Sequence, residues 1–192
     1  MEFVLVSANP QKVLQIRAIL KELMPKGSLR SLFDFPTYTP AESSPSQTLA
    51  ERARFKALDA AKTLKLPALA EQWELVIPSL DLKPIFSQHA TVGAQTRSIL
   101  EKLQGKSELQ RAAYLESAVA WALPEGKVFH AVARVEGQIA ESERGKGSLD
   151  FENIFIKYDY VKTLAELGQS VKTRISHHCK ALEKLLIYVE GR

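Results

Sequence analysis

Cysteine is nearly absent, charge of one sign is not concentrated anywhere, and no long apolar run occurs. Cys179 is the single cysteine among 192 residues. No disulfide can close within the chain, and a reducing compartment, the cytoplasm, is the expected one. No stretch approaches the roughly 18 apolar residues of a membrane helix, and "MEFVLVSANP" has neither a basic leader nor a long apolar segment, so a soluble, unprocessed protein is expected. The 26 basic and 22 acidic residues are mixed along the chain and leave a net charge of +4. That balance favours anionic partners only mildly, and a phosphate-bearing small molecule fits it. A basic patch interleaved with aromatics is missing, so nucleic acid is not expected as a partner. What is present is enough apolar residue, 45%, to bury a full core, and residues 1–192 are expected to form a single domain.

Strand-like and helix-like signals alternate from the start. "FVLV" reads as a short strand, then Asn9 as a helix cap with Pro10 at the first helical position, where its missing N–H costs nothing. Val13, Ile16, Leu20 and Leu23 recur at helical spacing and predict a helix over 10–24. Residues 34–47 carry three prolines and read as a long loop. Thr48 and Glu51 make a capping box for a second helix, and "TVGAQTRSILEKLQG" reads as a third, ending at Gly105. "LPALAEQWELVIP", residues 66–78, reads as one strand running into another through Glu71, Gln72, Trp73 and Glu74. Residues 111–123 alternate with Leu115, Val119, Trp121 and Leu123 on one face, and "PEGK" turns them into a hairpin with "VFHAVARVEGQIA". "IFIKY", a short helix at "KTLAEL" and one long helix over "SVKTRISHHCKALEKLLIYV" complete the pattern. The expected fold is α/β, with a mixed, largely elongated sheet, flanking helices and a central cleft between two lobes.

Three groups of residues carry candidate chemistry. Ser7, Asn9 and Lys12 sit where a strand turns into a helix, and the unpaired N–H groups and positive dipole end there suit phosphate oxygens. Taken alone, the simpler reading is favoured there: Asn9 as a cap and Lys12 as a solvated residue. Lys172 and Ser176 are four apart on one predicted helix, with Lys180 a turn further, making a polar stripe. His177, His178 and Cys179 are consecutive, so their side chains diverge by about 100° each and cannot converge on one ion. His89 and His130 have no partner at ligand spacing. Glu71, Glu74, Glu42 and Glu152 are carboxylates at strand ends or loops, where a hard divalent cation finds oxygen ligands.

The order of these pieces resembles the inosine triphosphate pyrophosphatase family over nearly the whole chain. "LVSANPQK" is similar to the family's T/S-x-N-x-x-K, "TLAERARFKA" to T-F-x-E-N-A-x-x-K-A, and "VEGQIAESERGKG" to E-G-x-I-x-x-x-x-R-G-x-x-G. "KTLAEL" and "KTRISHHCKAL" resemble K-T-x-A-E-L and K-x-x-I-S-H-R-x-x-A-L. The resemblance implies a homodimer that uses Mg²⁺ and water to cleave a purine nucleoside triphosphate at the α-phosphorus, releasing pyrophosphate. By position it implies that Ser7, Asn9, Lys12 and Lys56 contact phosphates, and that Lys172, Ser176 and His177 contact base or phosphate.

The same resemblance exposes departures. The family's A-D-D-S-G-L is "AEQWEL" here. Glu71 keeps the first acid, but Gln72 stands at the family's catalytic base, and a neutral amide neither takes up a proton nor ligates Mg²⁺ well. Trp73 and Glu74 replace Ser and Gly, with bulk and negative charge where a tight turn beside phosphate is expected. Glu42 is the only carboxylate near Ser43 and Ser44, where the family carries a metal-binding acid. The base-recognition motif F-G-x-D-P becomes "LDFEN", so Leu149 replaces the stacking aromatic and Glu152 lengthens the acid. His178 replaces an arginine. The implied metal set is therefore Glu71, Glu42 and Glu74, and the expected activity is weak or altered. The competing expectation is a catalytically silent, nucleotide-binding or dimerising protein.

Overall fold

A computed structural model describes residues 1–44, 46–146 and 151–190. Its strands are β1 (Glu2–Leu5), β2 (Ser28–Ser31), β3 (Ala68–Val76), β4 (Ala112–Ala122), β5 (Val128–Ile139) and β6 (Phe155–Lys157). Its helices are α1 (Pro10–Leu23), α2 (Leu49–Leu64), α3 (Lys83–Gln88), α4 (Val92–Lys102), α5 (Glu108–Arg111), α6 (Gln169–Ile175) and α7 (His177–Glu190). The strands follow one another across the sheet in the order β2-β1-β3-β4-β5-β6. β1 is parallel to β2, with Leu5 opposite Ser31, and parallel to β3, with Val4 opposite Ala68. β5 and β6 are antiparallel. The fold is mixed α/β, as the alternation of patterns predicts.

The chain divides into two compact units. Met1–Trp73, Ser117–Ala133 and Thr173–Arg192 form the first, and Glu74–Glu116 and Arg134–Lys172 the second. In the first unit the sheet is apolar on both faces. Phe3, Leu5, Leu69, Val119 and Trp121 pack with residues of α1 and α7, including Ile16, Leu182 and Leu185. Val4, Ala68, Ala70, Ala118, Ala120 and Ala122 point the other way and pack with Ala53, Ala57, Ala60 and Ala61 of α2. Small side chains on both partners let that helix lie close to the strands. This second apolar layer explains why β4 is buried on both faces from Ser117 onward, where alternation alone predicts one exposed face.

In the second unit, Arg111 ties segments together. Its Nε donates to the Ile139 carbonyl at 2.8 Å, one Nη to the Leu103 carbonyl at 2.7 Å and the other to the Ala140 carbonyl. Gly145, at φ +84°, lies so close to Ala165 that an added Cβ would stand 2.6 Å from its carbonyl carbon.

Local signals explain the helix ends. Asn9 caps α1, its side-chain oxygen accepting from the N–H groups of Gln11 and Lys12, and Thr48 with Glu51 closes a capping box on α2. Gly105 is left-handed, at φ +70°. Two expectations are corrected. Residues 68–76 are a single uninterrupted strand, so no turn separates Glu71 from Glu74. The long C-terminal helix is broken at Ser176, whose hydroxyl donates to the Thr173 carbonyl at 2.9 Å and accepts from the Cys179 N–H at 3.1 Å, capping α7. Val171, which the periodicity of one long helix places on its inward face, is exposed.

Candidate active site

The first unit contains a buried polar cluster built on Glu71. Side chains alternate along β3, so Glu71 and Trp73 share the face of Leu69, turned toward α1 and α7, while Gln72 shares the face of Ala68 and Ala70, turned toward α2. Glu71 is 2% exposed, and three other elements converge on it. From α1, Lys12 Nζ lies 2.5 Å from Oε2 and donates to the Glu71 carbonyl at 3.2 Å. From β4, Ser117 Oγ donates to Oε1 at 2.6 Å, and from α7 the His178 Nδ1–H donates to the same oxygen. Burial pushes the Glu71 carboxyl up, but the charges of His178 and Lys12 and their hydrogen bonds outweigh it and hold the group well below its ordinary value. It is an ionised carboxylate, hydrogen-bonded at Oε1 and ion-paired with Lys12 at Oε2, where no hydrogen bond forms among the described residues.

Around this cluster lie the other predicted residues of the first unit. The His177 ring stands 3.8 Å from that of His178 and 5.6 Å from that of Trp73. It is 2% exposed and neither ring nitrogen has a hydrogen-bond partner among the described residues. Burial drives its basicity well down, the charges of His178 and Lys12 add to that, and Glu71 opposes it. The Trp73 indole also meets His178 edge-on at 6.3 Å. Half-buried Gln72 turns its amide back onto the Glu71 carbonyl at 2.7 Å. Ser7 Oγ accepts from the Asn9 N–H at 3.2 Å. Asn9 already satisfies two first-turn N–H groups, so those backbone donors, read from the sequence as free for an anion, are taken.

On α2, Lys56 is half-buried and its basicity is lowered, first by burial, then by the neighbouring charges of Lys12 and Arg52, with Glu42 partly compensating. Arg52, one turn before Lys56, has a buried Nε without a hydrogen-bond partner. Sequence reading passed over both Arg52 and Ser117. The signals were there: an arginine in "ERA" where the family motif has asparagine, and a serine on the apolar face of β4.

In the second unit, Glu152 is buried and receives Lys172 Nζ at 2.9 Å. Asn153 Nδ2 donates to Glu143 at 2.7 Å. Leu149 lies outside the described residues. Ser176, in the first unit, spends its hydroxyl on the helix break, and Lys180, read on the same stripe, is exposed and pairs with Glu183 at 2.9 Å.

The predicted metal set is not assembled. Glu42 is exposed in its loop, Glu74 points to the opposite face of β3 from Glu71, Glu71 Oε1 accepts from Ser117 and His178, and Oε2, which has no hydrogen-bond partner among the described residues, is occupied by the Lys12 ammonium as an ion pair. Among the described residues no three His, Cys, Asp or Glu side chains are grouped to hold an ion. Mg²⁺ prefers several free oxygen ligands in octahedral array, and this donor set does not fit it.

These features define a class: a mixed α/β protein with a lysine-rich site that follows β1, where parallel strands flank β1 on both sides, a usual position for ligands. A profile of the Ham1 family matches residues 3–188. A dITP/XTP pyrophosphatase of Chlamydia trachomatis serovar L2 is 36% identical over 197 residues, covering 99% of this chain and 93% of the relative. A solved HAM1 protein from Coxiella burnetii superposes with a TM-score of 0.81 at 29% identity, covering 100% of both chains. The nucleoside-triphosphatase/dITP/XTP pyrophosphatase of Mycobacterium abscessus gives a TM-score of 0.73 at 28% identity, covering 97% of this chain and 99% of the other. The chain belongs to the Ham1 family.

Proposed function

We propose that this protein is a nucleoside triphosphate pyrophosphatase-like member of the Ham1 family that binds purine nucleoside triphosphates and cleaves them weakly or with redirected specificity. The observation that carries the reading is the Glu71 cluster. Lys12 and Lys56, whose charges act on one another, are taken as phosphate ligands together with Ser7 and Asn9, while Gln72 leaves the position of the proton acceptor with an amide. In the second unit, Glu152 with Lys172 is the group assigned to the base, together with Leu149. The same reading takes residues 1–192 as one functional domain, working as a homodimer in the cytoplasm.

Pyrophosphate release from inosine triphosphate tests the proposal. Losing a positioned acid/base group costs about 10²- to 10⁴-fold, so the expected catalytic efficiency is below about 10⁴ M⁻¹s⁻¹. A higher value would mean that another group has replaced the missing carboxylate. The Gln72 amide also supports a second reading, a catalytically silent nucleotide-binding protein. Saturable binding with no pyrophosphate release in a long incubation identifies that case.

A further inference from the structure

The mismatch between this site and a divalent cation has a constructive counterpart in the first unit. A triphosphate carries up to four negative charges, and a protein that binds it must neutralise them with a metal, with cations of its own, or with both. Here the acidic side of the arrangement is reduced, with the Glu42 charge near Lys56 left to act on it. Glu71 is sealed by Lys12, Ser117 and His178, and Gln72 has no charge. The basic side is enlarged. Arg52 stands on α2 where the family motif carries a neutral asparagine, four residues before Lys56 and therefore on the same helix face. Its buried Nε has no partner, and neither Arg52 nor Lys56 forms an ion pair among the described residues. That one buried Nε donor has lost its water and gains nothing until an acceptor arrives.

We propose that this chain binds nucleoside triphosphate as the free anion, without a divalent cation, using Arg52 beside Lys56 and Lys12 for the charge neutralisation that a metal would otherwise supply. The inference rests on the nucleotide-binding reading given above and adds to it the form of the ligand. Guanidinium suits the task, because its fixed fork can hold two phosphate oxygens at once and its charge is permanent. Lys12 has a double part. Its contact with Glu71 holds the ammonium in place, and the side chain keeps 17% exposure from which to meet an oxygen.

The test is calorimetric titration of the full chain with α,β-methylene inosine triphosphate, which cannot be cleaved at the α–β bond, in excess EDTA and again in millimolar Mg²⁺. The expected result is binding in EDTA at least as tight as in Mg²⁺, because metal complexation withdraws the free anion from solution. Arg52→Asn should weaken binding in EDTA by about tenfold, the equivalent of one charged hydrogen bond, and Arg52→Lys should recover part of the loss. Thermal melting of both variants checks that they are folded. Binding that tightens tenfold or more on adding Mg²⁺ would overturn the inference and leave the nucleotide-binding reading standing. An Arg52→Asn variant that binds like wild type would remove Arg52 from the account. No binding under either condition would reject the nucleotide-binding reading itself, and the inference with it.

Discussion

Replacing Lys12 by methionine keeps the aliphatic stem and deletes only the ammonium, so it isolates the contribution of that charge to the Glu71 cluster. Both remaining donors, Ser117 and His178, lie on Oε1, and Oε2 is left facing the space that Nζ occupied. Removing one member of a buried ion pair generally costs about 3–5 kcal/mol, because the surviving charge stays desolvated. The Lys12 side chain is 17% exposed and Glu71 1%, so water can reach the vacated oxygen in part, and the lower end applies, about 3 kcal/mol. For a chain of this size that corresponds to a fall of about 6–12 °C in Tm at pH 7, read by circular dichroism. The paired variant Lys12→Met/Glu71→Gln removes both charges and should recover more than half of the loss, since no unpaired buried charge is left. The reasoning is refuted if the single variant melts within about 3 °C of wild type, or if the double variant is less stable than the single one.

Lowering the pH should destabilise the protein in two stages. His177 and Glu71 are both held below their ordinary values, 6.5 and 4.5, so below those values the unfolded chain binds protons that the folded chain refuses. Stability should therefore begin to fall below about pH 6.5, by up to about 1.4 kcal/mol per pH unit for each group, and His177→Phe should delay the onset toward 4.5. A variant profile that overlays the wild-type one would contradict the placement of His177 as a buried neutral imidazole. Gly145→Ala forces a side chain into a left-handed backbone and against Ala165, and should cost about 2–4 kcal/mol in urea unfolding. A loss below about 1 kcal/mol would show that this turn relaxes freely.

Local chemistry was legible in the sequence wherever a few adjacent residues decide the outcome. Asn9-Pro10 begins α1, Thr48 with Glu51 begins α2, and the hairpin turns at "PEGK", because caps and turns are satisfied within four residues. β2, with the sequence "SLRS", has no apolar pattern and owes its strand to pairing with β1, which no local signal encodes. "ISHHC" continues a helical periodicity, yet Ser176 breaks it, because a serine hydroxyl that caps one helix end also permits the chain to change direction. "AEQWEL" reads as the join between two strands, whereas Trp73 supplies β-propensity that suits one continuous β3. The Glu71 cluster draws residues 12, 71, 117 and 178 from four elements. Its acid and its lysine could be named from motifs, whereas Ser117 showed only as a serine on the apolar face of β4, and its partner became visible once β4 lay beside β3.

The central proposal is that a Ham1 scaffold carries weakened chemistry at residues 71–74, and a repaired variant tests it most directly. Gln72→Asp, Trp73→Ser and Glu74→Gly together restore a carboxylate and remove bulk and negative charge, at some cost in stability because Trp73 covers His177. The measurement is the rate of pyrophosphate release from inosine triphosphate in Mg²⁺, for wild type, Gln72→Asp and the triple variant, each shown to be folded by thermal melting. The account predicts that the triple variant exceeds wild type by about 10²-fold or more and exceeds Gln72→Asp alone. A triple variant that is folded, binds nucleotide and releases pyrophosphate no faster than wild type would contradict it.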